Sequence, residues 1–260
     1  MKMVKNILLG LVATATILSF AGCKMGAGEG DTDGNKWDLT MTIDTTDPKK
    51  PLAEGTTYRR FWEQISASEN VAAIKTTITI DPAKCTYNGG ALVAGLIFDL
   101  NKGTDDKTVD FNLIGINPKV MTGGKPGYYI ERYEGVSSDK KKSGDTSDSA
   151  IGTAVAPLGS MSWAAIPAGS YSADANGVLS FVITIKQENK KYSIYIGDTK
   201  IREYTSDRTT HIWKDKNGVE YLAGGIACYG NAGAGNKIVA TYKSDKDSVI
   251  GKLEAEEIEE

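Results

Sequence analysis

Histidine is nearly missing from this chain. Its 260 residues include one, His211, so a zinc site with several imidazole ligands and a His-Glu-x-x-His protease helix are both excluded. A Gly-x-Ser-x-Gly nucleophile elbow is absent as well. There is no excess of basic charge: 30 Lys and Arg face 33 Asp and Glu, a formal charge of −3, and the few lysine runs sit among Asp, Ser and Asn. That balance offers nothing to hold nucleic acid. Gly230-x-x-Gly233-x-Gly235 lacks a following Lys-Ser/Thr and reads as a hairpin loop, not a phosphate cradle. Asp31-x-Asp33-x-Asn35 begins like a calcium loop, but Lys36 stands where glycine is required and no Glu closes it. No cofactor and no metal site is expected. Cysteine is scarce at three residues, and Cys85 and Cys228 are compatible with one disulfide or with two buried thiols.

The long hydrophobic run that the body lacks is at the start. Lys2 and Lys5 lead into an apolar stretch from Ile7 to Phe20, then Ala21-Gly22 and Cys23. That order of basic, apolar and small residues is the layout of a secretory signal peptide. The stretch is shorter than the ~20 apolar residues of a spanning helix. Phe20-Ala21-Gly22-Cys23 resembles the bacterial lipobox, with Phe20 in place of the usual leucine. The resemblance implies that residues 1–22 are removed and Cys23 is lipidated, giving a bacterial membrane-anchored lipoprotein on the periplasmic or cell-surface side. Residues 23–36 are rich in Gly and Asp and poor in apolar side chains, so they read as a flexible tether. A coil of that length reaches on the order of 20 Å. Loss of residues 1–22 leaves 238 residues and, with Lys2 and Lys5 gone, a charge of −5. The lipid, not charge, then holds the protein to the bilayer.

The body, residues 37–250, has a period of two. Ile74, Thr76, Ile78 and Ile80 alternate with Ala73, Lys75, Thr77 and Thr79, a half-buried strand ended by Asp81-Pro82. Residues 92–98 are continuously apolar and fit a strand covered on both faces. Further strands are expected over 37–44, 109–113, 127–136, 179–186, 191–196, 221–229 and 237–243. Asn88-Gly89, Lys102-Gly103, Asn176-Gly177, Gly197-Asp198 and Asn217-Gly218 supply the turns. Residues 57–69 read as one short helix with Phe61 and Ile65 on a stripe. The polar insert 137–149 reads as a long loop, and 251–260 as an acidic tail. Many short strands without intervening helices give an all-β antiparallel sandwich or barrel.

Four segments resemble the concanavalin A-like lectin/glucanase superfamily, which includes laminin-G-like and keto-disaccharide-hydrolase-type domains. They are Gly95-Leu96-Ile97-Phe98-Asp99-Leu100, residues 127–136, residues 179–185 with Tyr192-Ser193-Ile194-Tyr195-Ile196-Gly197-Asp198, and Gly224-Gly225-Ile226-Ala227-Cys228-Tyr229-Gly230 with Ile238-Val239-Ala240-Thr241-Tyr242. The resemblance implies an antiparallel jelly-roll sandwich. Hydrolases of this kind carry two acids on one strand, two residues apart, facing the sugar. Glu131 and Glu134 are three apart and fall on opposite faces, and Glu254, Glu256 and Glu257 lie in the tail.

Binding without cleavage is the function this leaves in front, with a carbohydrate or a host or envelope protein as partner. Twelve Tyr and four Trp against five Phe favour rings with a polar handle, which suits stacking on sugars. Trp213, Trp163, Tyr128 and Tyr229 are the candidate platforms, with Tyr133 beside them. Arg132, Glu131 and Asn231 are the candidate polar contacts. A glycoside hydrolase and a surface lipoprotein without ligand are the alternatives.

Overall fold

The computed structural model describes residues 38–44, 55–64, 71–90, 92–102, 108–137, 153–155, 163–208, 213–214, 220–230 and 235–243. In chain order the strands are β1 (Asp38–Asp44), β2 (Gly55–Gln64), β3 (Val71–Ile80), β4 (Leu92–Lys102), β5 (Thr108–Met121), β6 (Lys125–Ser137), β7 (Thr153–Val155) and β8 (Ala164–Ala165). They continue with β9 (Tyr171–Ala173), β10 (Leu179–Glu188), β11 (Lys191–Ile196), β12 (Thr199–Thr205), β13 (Trp213–Lys214), β14 (Glu220–Gly230) and β15 (Lys237–Lys243). A seven-stranded sheet runs β1-β15-β3-β10-β11-β12, with β9 beside β10. An eight-stranded sheet runs β13-β14-β4-β5-β6-β7, with β2 on β14 and β8 on β6. Every pairing is antiparallel, and the two sheets pack as a sandwich.

The alternation in the sequence accounts for the core. Ile74, Ile78 and Ile80 of β3, Phe181, Ile183 and Ile185 of β10, and Tyr192, Ile194 and Ile196 of β11 are all buried on one side. Ala94, Leu96 and Phe98 of β4, Ile114 and Ile116 of β5, and Cys228 of β14 meet them from the other sheet. Truncating one of these isoleucines to alanine costs about 2–5 kcal/mol, because the pocket it leaves collapses only partly. On the outer face of the seven-stranded sheet the register lines up Thr40, Thr241, Thr79, Ser180 and Ser172, a row of hydroxyls across five strands.

β4 is buried on both faces, as its unbroken apolar run requires: Val93 and Ile97 are buried on the side away from the core. Close approach to β5 demands glycine here. A Cβ on Gly95 would lie 1.8 Å from the Ile114 carbonyl oxygen, a backbone atom that cannot swing aside.

One expectation is corrected. Residues 57–64 of the expected helix are strand: residues 55–64 form β2, paired along its whole length with β14 from Gly55↔Gly230 to Gln64↔Tyr221, and residues 65–69 lie outside the described residues. Thr56, Thr57, Tyr58, Phe61 and Trp62 are strand-forming residues, and a ten-residue ladder outweighs a two-residue helical stripe. One 3-10 turn, Pro82–Lys84, is the helical element among the described residues; Asp81 caps it by accepting from the Ala83 amide at 3.0 Å. Of the two readings open for Cys85 and Cys228, the structure has buried thiols without a bridge, each with its own neighbour: Cys85 Sγ donates to the Asp81 carbonyl at 3.3 Å, and Cys228 Sγ lies 3.6 Å from the Tyr242 hydroxyl. Burial first, with the Asp81 charge adding to it, pushes the Cys85 thiol up and keeps it protonated.

Candidate functional site

The period of two in β6 sorts its candidate residues onto two faces. Tyr128 packs against the inter-sheet core, where Ile130 is buried. Arg132 shares that side. Its Nε donates to Glu134 Oε1 at 2.9 Å, and its Nη1 donates to both Asp207 oxygens at 2.9 and 3.0 Å. Arg132 is therefore committed to ion pairs that tie β6 to the segment after β12. Tyr129, Glu131 and Tyr133 occupy the opposite face, buried at 7%, 6% and 0% exposure. The Tyr133 hydroxyl donates to Glu131 Oε2, and the Tyr129 hydroxyl lies 3.4 Å from it. Burial raises the Glu131 carboxyl above its ordinary value, opposed by the Tyr133 hydrogen bond.

Trp163 joins this row at its end. β8 pairs with Gly127 and Tyr128, and the contact is close: a Cβ on Gly127 would meet Val120 at 2.5 Å and the Ala164 carbonyl at 3.2 Å. Glycine there lets β8 draw in and set Trp163 against Tyr129, ring centroids 4.7 Å apart at 79°. Tyr87 approaches Trp163 from the other direction at 6.4 Å and 82°, its hydroxyl anchored on the Gly90 carbonyl at 2.9 Å. Trp163 is thus held edge-on by two tyrosines while staying half-buried.

Trp213 and Tyr229 are placed by backbone register opposite Tyr221 and Val93; their side chains lie outside the described residues. So do Cys23, the tether, the insert's residues 138–149, His211, Asn231 and the acidic tail.

A second cluster was not anticipated from the sequence. β4 breaks register with β5 between Phe98 and Asn101, and Asp99 takes a φ of 50°. The break turns its carboxylate inward between the sheets. There it accepts from Tyr192 OH at 3.2 Å, Asn112 Nδ2 at 3.2 Å, Ser206 Oγ at 2.8 Å, Arg208 Nη1 at 3.0 Å and the Tyr204 hydroxyl. Arg208 Nη1 also donates to the Asp99 carbonyl at 2.6 Å. Tyr192 and Tyr204 stack at 5.2 Å and 15°, with Phe98 against both. Burial, then the adjacent Asp99 charge, pushes both tyrosines far above their ordinary pKa.

Chemically the two clusters differ. Asp99 Oδ2 accepts from four side chains and Oδ1 from Tyr192, so the carboxylate is engaged within the sandwich. Glu131 keeps one hydroxyl partner, and neither Asp99 nor Glu134 shares its face. No facing pair of acids is built from these three. The members of the Asp99 cluster come from β4, β5, β11, β12 and the segment beyond, so no local spacing could reveal them. The one trace is Asp99 itself, a charge that interrupts an apolar strand.

No protein-family model matches the chain, and no curated protein matches its sequence. Among solved structures it is similar to a functionally unknown protein from Saccharomyces cerevisiae, with a TM-score of 0.34 and 13% identity over 80% of this chain and 86% of that one. It is also similar to LamAcat from Zobellia galactanivorans, with a TM-score of 0.19 and 11% identity over 80% of this chain and 66% of the other.

Proposed function

We propose that the protein is a membrane-anchored exported lipoprotein whose concanavalin A-like sandwich recognises a carbohydrate without cleaving it. The observation that carries this reading is Trp163. A half-buried indole held edge-on by Tyr129 and Tyr87 is a rigid apolar platform with a polar rim, the geometry on which a sugar ring stacks. Separation of Glu131 from Glu134 across β6 and engagement of Asp99 by five side chains inside the sandwich argue against hydrolysis, which needs two facing acids. Cys23 after a basic and apolar leader supports the anchor.

The test is a glycan array probed with the full-length lipoprotein in detergent micelles. Binding of a glycan without turnover, weakened several-fold by Trp163→Ala in a variant that still unfolds in one cooperative transition, is the expected result. Release of reducing ends would make it a hydrolase. An empty array would leave a surface lipoprotein without a sugar ligand. Mass spectrometry of the mature protein should show an acylated Cys23 at its N-terminus, and Cys23→Ala should move the protein to the aqueous phase.

A further inference from the structure

The buried cluster at the end of the sandwich holds several hydrogen-bonding atoms that meet nothing, and they belong to the same few residues. Arg208 is 6% exposed. Its Nη1 is engaged by Asp99, whereas its Nε and Nη2 are buried and unpartnered. Those two nitrogens form one edge of the guanidinium, the fork that takes two neighbouring oxygens at once. Asn112 Oδ1 and Gln187 Oε1 are buried and unpartnered too. Their orientation is set by their own amide nitrogens: Asn112 Nδ2 donates to Asp99 and Tyr204, and Gln187 Nε2 to the Asn189 carbonyl. Gln187 stands opposite Tyr192 in the β10–β11 ladder, which brings it to the same cluster.

A buried charged donor without an acceptor is among the costlier defects a fold can carry. The mixture of orphan atoms restricts what would complete it. An anion would fill the Arg208 fork, but Asp99 already balances that charge and the two orphan oxygens would repel it. A cation would suit the oxygens and be repelled by Arg208. A hydroxyl both donates and accepts, and two hydroxyls on adjacent carbons span the fork. Phe98, Tyr192 and Tyr204 supply an apolar wall beside these atoms. The cluster also lies just under the surface: Tyr204 is half-buried, and the Asp207 side chain, between buried Ser206 and Arg208, is 74% exposed.

We infer that this sandwich-end cluster is a subsite for the vicinal diol of a sugar ring. Arg208 Nε and Nη2 donate to the two hydroxyl oxygens, Asn112 Oδ1 and Gln187 Oε1 accept their protons, and the aromatic wall covers the C–H face. The inference rests on the carbohydrate reading above and assigns to it a second contact point, separate from Trp163.

Glucose, galactose, mannose and N-acetylglucosamine are titrated into the full-length protein in micelles, with calorimetry as the readout. Arg208→Lys keeps a cation for Asp99 and removes the fork. At least one of these sugars should bind the native protein, and Arg208→Lys should weaken it tenfold or more. Crystals of the native protein soaked in that sugar should show two hydroxyls within hydrogen-bond distance of Nε and Nη2, a readout that holds even if the variant fails to fold. Ordered waters alone at the fork, or a sugar seated elsewhere, overturns the subsite. If array glycans bind through Trp163 while the fork holds only water, the subsite fails and the carbohydrate reading stands. If nothing binds on the array or in the titration, both fail.

Discussion

Replacing Asp99 by asparagine isolates the charge at the centre of the buried cluster. Asparagine has nearly the same shape and is at home in the left-handed region, so the φ of 50° adds no strain of its own. What changes is acceptor capacity. The carboxylate receives hydrogen bonds from Tyr192, Tyr204, Asn112, Ser206 and Arg208. An amide has one acceptor oxygen and presents its NH2 to the remaining donors. Arg208, at 4% side-chain exposure, is then a buried cation without a counter-charge. Removing one member of a buried pair costs about 3–5 kcal/mol, a large part of the roughly 5–15 kcal/mol that stabilises a typical domain. Urea unfolding followed by tryptophan fluorescence should show that loss as a lower midpoint at unchanged slope. Arg208→Met in the Asp99→Asn background should cost less than the two single changes added together, since the stranded charge is gone. A single-variant loss under about 1 kcal/mol, or strict additivity, would refute the view that the pair is coupled and desolvated.

The carboxyl of Glu131 is raised by burial above its ordinary 4.5, so its contribution is fully present below pH 4.5 and is lost as pH rises through the raised value. Stability should decline across that interval, and Glu131→Gln should flatten the decline, as read from denaturation midpoints at a series of pH values. Gly95→Ala sets a methyl 1.8 Å from a backbone oxygen and should cost at least the ~1–3 kcal/mol of ordinary overpacking, with β4–β5 amides losing protection from hydrogen exchange. Without reductant, Cys85 and Cys228 should resist alkylation in the native protein and both react in denaturant; a single bridged species would contradict the two buried, unbridged thiols.

Most of the strands were legible because each is a local pattern. The alternation over 73–80 and the apolar run over 92–98 state directly which faces are covered, and β11 and β15 begin and end where their periodicity does. Turn glycines were legible for the same reason: Gly89, Gly177 and Gly197 all take positive φ. β2 was not, since its mixture of aromatic and charged residues fits a weak helical stripe as well as a strand, and only pairing with β14 decides between them.

The sequence by itself determined the class of this protein: an all-β body whose inner residues recur every second position. Period and composition are properties of neighbouring residues, so they survive without coordinates. Tertiary structure alone decided which face of β6 carries Glu131, that Trp163 is clasped by Tyr87 and Tyr129, and that Asp99 meets Arg208 across 109 positions of chain. Those contacts depend on sheet order and on one register break in β4. Beyond the charge of Asp99 in an apolar strand they leave no local trace, because the energy that fixes them comes from groups brought together only when the two sheets close.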